Sequence, residues 1–286
     1  MSISPRAASW LQVAPFAFIM IALVIVPMLI VFVVSFLDYG FAEVYPEILW
    51  ANYTDILRSS LTFDLYKTIF FHIAIVWSIT VVLGFTVTYY LVFHVRKNVW
   101  RIVFLAACAI PFWTPGPIRM ISWVPLLGRE GLVNSLLLQL GFIDKPLDWL
   151  LFSEFSVLLV YVNMLTLAMI GPMFNSMVKI DRAIVHAAID QGASEWQIVT
   201  NIVIPLVKPG IVIGTIFVVT AIIGDSFVVK MMSGSLINTP GGAIMNEINA
   251  FQYPPAAAKS MVMVAVVFLA VGTLLRFVDI RKELTR

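Results

Sequence analysis

Three charged residues, Arg119, Asp225 and Lys230, stand inside or at the rim of otherwise apolar stretches of this 286-residue chain. An ionisable group in hydrocarbon costs free energy, and such residues usually face a protein interior or a pathway. Lys230 has a simpler reading, a long side chain that reaches the outer interface. Arg119 and Asp225 admit two roles, a structural ion pair or a part in a substrate path or gate. Arg119 lies eighteen residues after Arg101, and Asp225 lies seventeen after Lys208. At about 1.5 Å per helical residue, both counts end roughly 25–27 Å from the basic side. Opposite charges at equal depth could pair, which would offset much of the cost of burying either alone. Trp113, Trp123 and Asn163 join them as path candidates, with Trp77 and Tyr89 behind. An aromatic residue in an apolar span is more often packing or interface belt than a cargo site. An acidic residue near aromatic rings suits an amine, whereas Arg119 and Lys230 suit an anionic or zwitterionic organic solute.

Other chemistries lack their residues. No G-x-x-x-x-G-K-[ST] phosphate loop occurs, and the glycines of Ser233-Gly234-Ser235 and Gly241-Gly242 have no following lysine, so the chain is not expected to hydrolyse ATP itself. His72, His94 and His186 show no metal-ligand spacing with nearby carboxylates. The single cysteine, Cys108, can form neither an internal disulfide nor a cysteine metal cluster. Serine, histidine and aspartate are present without a nucleophile motif, so no catalytic residue and no metal is assigned. A net charge of +2 without a basic tract gives no reason to expect nucleic acid.

The segment Ile180 to Gly210 carries the most specific spacing. Asp181 can cap a short helix of about three turns, and Gly192 can end it. Ser194 with Gln197 three residues later is a capping-box pattern that opens a second helix. Pro205 is expected to end that helix, and Pro209 to begin the next apolar span. The result is a compact helix–turn–helix elbow. Its Ala187-Ala188 pair would let another surface approach the backbone closely, although an ordinary helical hairpin would also accommodate two alanines.

The whole spacing resembles the EAA loop of binding-protein-dependent ABC importer permeases, with Ala187, Ala188, Gly192, Ile202, Ile204, Pro205 and Pro209 in register. His186 stands where that family usually has glutamate. The stretch Pro111-Phe112-Trp113-Thr114, with Arg119, Trp123, Leu127, Gly128, Gly131 and Asn134, resembles the spermidine/putrescine branch. Near Gly224-Asp225 the chain departs from that branch, because Ser226 intervenes before Phe227 and Val229-Lys230 replace a usual proline. The resemblance implies the six-helix type I importer fold in the bacterial inner membrane and a coupling loop over about residues 178–209. His186, Ala187, Ala188, Asp190, Gly192, Ala193, Pro205 and Pro209 would contact or shape the ATPase junction. It also implies four partners: a second, related but different permease, two ATPase subunits and a periplasmic substrate-binding protein. ATP and Mg would be bound by the ATPases, with no cofactor in this chain. The cargo would be a small organic solute, a polyamine-like amine or a related organic ion, moved inward by alternating access.

These residues need elements to hold them, and composition says what kind. Sixty-one per cent of the residues are hydrophobic and 12% charged, where soluble domains carry about a quarter charged residues. The solvent for such a chain is lipid. Stretches long enough to cross about 30 Å of hydrocarbon run approximately Val13–Leu37, Ile69–Phe93, Ile102–Val124, Phe155–Met177, Ile211–Met232 and Met261–Val278. Lipid demands internal backbone hydrogen bonds, so the expectation is an all-α membrane protein of six transmembrane helices. The first run is about twice the length of a signal h-region and reads as a retained span. One side receives eleven basic residues: Arg6, Arg96, Lys97, Arg101, Lys179, Arg182, Lys208, Arg276, Arg281, Lys282 and Arg286. The other receives five, Arg58, Lys67, Arg129, Lys145 and Lys259, which places both termini in the cytoplasm. Without repeats or linkers, residues 1–286 read as one transmembrane permease domain. The rival from another class, a transporter driven by an ion gradient, would use Asp225 as a proton site but gives the elbow no role.

Overall fold

The computed structural model describes residues 5–40, 43–95 and 97–276, and Arg96, Arg281, Lys282, Arg286 and the end of the sixth predicted span lie outside them. Helix α1 (Gln12–Val34) leads into an antiparallel hairpin of β1 (Leu37–Tyr39) and β2 (Val44–Ile48), then α2 (Ala51–Arg58). Helix α3 (Ser60–His94) precedes α4 (Asn98–Ala109), the short helices α5 (Gly116–Ile121) and α6 (Val124–Leu127), and α7 (Leu132–Gln139). There follow α8 (Glu154–Met177), α9 (Arg182–Asp190), α10 (Glu195–Ile223), α11 (Phe227–Met232), α12 (Pro240–Asn249) and α13 (Tyr253–Leu275). Among the described residues, the five helices α1, α3, α8, α10 and α13 are long and apolar enough to cross a membrane.

The third predicted span is not one helix. Helix α4 stops at Ala109, a 3₁₀ turn covers Ile110–Trp113, and α5 and α6 follow as separate pieces. Pro111, Pro115, Pro117 and Pro125 each lack an amide donor and obstruct the preceding turn; Pro117 and Pro125 then sit where prolines are tolerated, at the starts of α5 and α6.

The fifth predicted span departs in the opposite sense. Pro205 does not end a helix and Pro209 does not begin one, because α10 runs unbroken through both. A π turn over Val199–Val203 ends two residues before Pro205, with the Ile204 amide bonded to the Val199 carbonyl. That wider spacing passes each carbonyl to a donor one residue further on, so the proline's missing amide interrupts less of the ladder. The same arrangement precedes Pro27 in α1, where the Val26 amide reaches the Ile21 carbonyl. At its far end α10 stops at Ile223, short of the predicted Met232, and the chain breaks at Gly224–Ser226 before α11.

By contact the chain divides into two compact units, residues up to 62 with 243–265, and residues 63–242 with 266 onward. In the first, Asn52 Nδ2 donates to the carbonyls of Ser35 (3.1 Å) and Leu37 (3.0 Å). Phe36 packs between the rings of Trp50 and Tyr53, each centroid 5.0 Å away. An ion pair joins Glu247 of α12 to Lys259 of α13.

In the second unit, α8 and α10 pack along most of their length. Glycine permits it: a Cβ on Gly210 would lie 2.5 Å from the Pro172 carbonyl oxygen, and one on Gly214 would lie 2.4 Å from Met169 Sδ. Small residues four apart are how membrane helices bring backbones together where lipid supplies no hydrophobic drive. Gly84 brings α3 against the same Met169. Two polar links cross this core: Trp77 Nε1 donates to Thr215 Oγ1 at 2.8 Å, and the buried His72 Nε2 meets Glu154 Oε1 at 2.9 Å.

Candidate functional site

The elbow forms from the signals its sequence carries. Asp181 Oδ1 accepts the Ala183 amide at 2.9 Å and opens α9. The helix closes in a Schellman turn, with the Ala193 amide on the Ala188 carbonyl (3.0 Å) and the Gly192 amide on the Ile189 carbonyl (2.9 Å). Gly192 takes φ +80° with open space where its Cβ would be, so glycine is required for conformation and not for clearance. Ser194 and Gln197 cap α10 reciprocally, through bonds of 2.8 and 3.3 Å. The elbow offers apolar side chains outward, with Ile184 48%, Ile189 52% and Trp196 74% exposed. His186, Ala187 and Asp190 are exposed too, and Ala188 and Ala193 are half-buried. Large apolar side chains left exposed on a capped helix–turn–helix element are open to docking by another surface.

A second feature lies among α3, α4, the start of α6 and α8. It is a cavity of about 940 Å³ whose lining includes Thr86, Tyr90, Phe104, Cys108, Trp123, Asn163 and Thr166. Among the described residues its walls carry no Asp, Glu, Lys or Arg. Trp123 and Asn163, two of the path candidates, are brought together here. Trp113 is not among the lining residues and is 83% exposed. The hydroxyls of Thr86 and Thr166 were not legible as a site. Asn163 and Thr166 are three residues apart and Thr86 and Tyr90 four, the spacings that share a helix face, and that was the available signal.

Asp225 sits at the break between α10 and α11. Its Oδ2 accepts the Tyr161 hydroxyl and the Val228 amide, both at 2.9 Å, so the carboxylate starts the short helix α11. The Asp225 carbonyl also accepts from Thr239 Oγ1 at 3.4 Å. Helix α5, which carries Arg119, packs against α11, and Lys230 on α11 is exposed. Tyr161 was missed. Counting eighteen residues back from Lys179 along α8 reaches it, the count that placed Arg119 and nearly that for Asp225.

Residues 80–281 match the family of binding-protein-dependent transport system inner membrane components. The chain belongs to this family. It is an inner-membrane permease subunit of an ABC importer, a transport subunit and not an enzyme, which decides against a transporter driven by an ion gradient. The matched region contains the elbow, every lining residue of the cavity and Asp225. A spermidine/putrescine transport system permease protein PotB of Salmonella typhimurium is 30% identical over 260 residues, 87% of this permease and 86% of that protein. Its Haemophilus influenzae counterpart is 28% identical over 231 residues, 80% and 79% of the two chains. A solved bacterial ABC transporter involved in importing the acidic polysaccharide alginate superposes with a TM-score of 0.73 at 16% identity, covering 94% of this permease and 96% of that chain. At that identity the likeness establishes the importer permease fold.

Proposed function

We propose that the permease imports a small organic amine of the polyamine type. A periplasmic binding protein delivers the solute, a second and related permease completes the path, and two ATPase subunits holding ATP and Mg dock on the elbow at residues 178–209. In this reading six crossings, the broken α4–α6 segment being the third, leave both termini in the cytoplasm. Alternating access then exposes the cavity to each side in turn.

The observation that carries the substrate class is the cavity wall. Tyr90, Phe104 and Trp123 offer aromatic faces, which attract ammonium groups within about 6 Å, and Asn163, Thr86 and Thr166 offer oxygen acceptors. Among the described lining residues no basic group repels a cation. The spermidine/putrescine names of the relatives support the same class. Arg119, with Asp225 and the α5–α11 contact, is assigned to an outer gate. Arg119 and the exposed Lys230 favour a second reading, an anionic or zwitterionic solute.

The test is a ligand screen on the cognate binding protein, followed by uptake of the radiolabelled hit into vesicles holding the whole importer. Binding and uptake of a di- or polyamine, with Asn163→Leu impairing uptake, fits the proposal. A binding protein selective for carboxylates, with uptake indifferent to amines, contradicts it.

A further inference from the structure

The last turn of α3 is a π turn over Tyr90–His94, closed by the Val95 amide on the Tyr90 carbonyl. A helix end leaves its final carbonyls without intrahelical donors. Two arginines, from two other elements, cover them. Arg101 of α4 donates from Nε to the Leu91 carbonyl (3.1 Å) and from Nη2 to those of Val92 (3.1 Å) and Val95 (3.2 Å). Arg182, the first residue of α9, donates from Nη2 to the same Val92 carbonyl at 2.9 Å. Leu91, Val92 and Val95 are buried, so these carbonyls have few alternatives. A guanidinium also complements the negative end of the helix dipole, and its planar fork can hold several carbonyls at once.

Tyr90 and Leu91, adjoining the shared Val92 carbonyl, line the cavity. The elbow's docking helix is therefore bonded, through one side chain, to the turn of α3 that forms the cavity wall. We propose that Arg182 is a positioning residue that ties α9 to the cytoplasmic end of α3, so that displacement of α9 by the ATPases moves Tyr90 and Leu91. Arg101 holds the same turn from α4 and makes the three elements one joint. A π turn is a suitable place for such a joint, because π turns are uncommon and recur at functional sites. The inference rests on the docking role proposed for α9.

The experiment uses the complete importer in proteoliposomes and reads ATP hydrolysed per solute imported, alongside recovery of the ATPase with the permease. Arg182→Ala is expected to retain the ATPase but raise the ATP cost per solute by about tenfold, the scale of an ordinary coupling between sites. Arg182→Lys, which keeps one charged donor, is expected to recover most of the loss. Ala188→Asp, placed in the docking helix itself, separates the two ideas. An unchanged ratio in Arg182→Ala, while Ala188→Asp abolishes solute-stimulated hydrolysis, overturns the joint and leaves docking standing. Stimulated hydrolysis that survives Ala188→Asp overturns docking and the joint with it. Loss of the ATPase in Arg182→Ala without recovery by lysine also overturns the joint, since the residue would then serve assembly alone.

Discussion

Asp225 shows how a residue that stands out in a sequence can have its partner hidden. A carboxylate in an apolar run is conspicuous, because burying it is costly. The group that receives it, Tyr161, is an ordinary aromatic in an ordinary membrane helix, and nothing in its type marks it. The carboxylate has two donors on one oxygen, the Tyr161 hydroxyl and the Val228 amide. Removing the acceptor leaves both donors unmet, while removing the tyrosine hydroxyl leaves the cap on α11 in place. Asp225→Ala should therefore lower the stability of the purified permease by about 1.5–3 kcal/mol, the range for hydrogen bonds to a charged group. Tyr161→Phe should cost less. In denaturation of the detergent-solubilised protein, the double variant should fall short of the sum by about 0.5–3 kcal/mol. Strict additivity would show that the two side chains do not act together.

At the scale of elements, the elbow was legible and the spans were legible only in their apolar parts. Asp181, Gly192, Ser194 and Gln197 act on backbone groups within a few residues, so their pattern alone predicts the caps that form. Hydropathy finds the lipid-facing length of a helix, but a helix continues into water as long as its backbone bonds do. Hence α3 begins at Ser60, well before Ile69, and α10 at Glu195, well before Ile211. The prolines of the third predicted span break it, as their missing amide donors require, whereas Pro205 and Pro209 ride inside α10 behind a π turn. A π turn depends on how the whole ladder shifts, and no single residue type announces it. Two glycines of this region separate conformation from clearance. Gly192→Ala should cost about 1–2 kcal/mol, the penalty of a left-handed backbone, and loosen the elbow without unfolding the permease. Gly210→Ala pushes a methyl into the Pro172 carbonyl and Ser176 Oγ, and should cost about 1–3 kcal/mol or more in core packing. Thermal unfolding in detergent should rank Gly210→Ala as the more damaging, and the reverse order would contradict the packing described for α8 and α10.

At the scale of the whole molecule, the Arg182–Val92 bond links the elbow to the wall of a cavity among α3, α4 and α8. Composition made the membrane legible, and the elbow's spacing the family and with it the transport role. The cavity was not legible, because it is made by residues from four segments whose only common property is the place they reach. Cys108, the single cysteine, lines it and serves as a natural reporter. Its labelling by a small thiol reagent should differ between the resting importer and one trapped with nucleotide, and should slow with bound solute. Equal rates in all three conditions would place the path elsewhere. ATP hydrolysis is proposed to reach this permease through α9, and Ala188→Asp is the variant that decides the matter. A charge buried unpaired at the ATPase contact costs several kcal/mol. In proteoliposomes holding the complete importer, solute-stimulated ATP hydrolysis should therefore fall to the unstimulated level and uptake should cease, with the permease inserting in normal yield. Stimulated hydrolysis at the level of the unmodified importer would show that α9 does not carry the coupling.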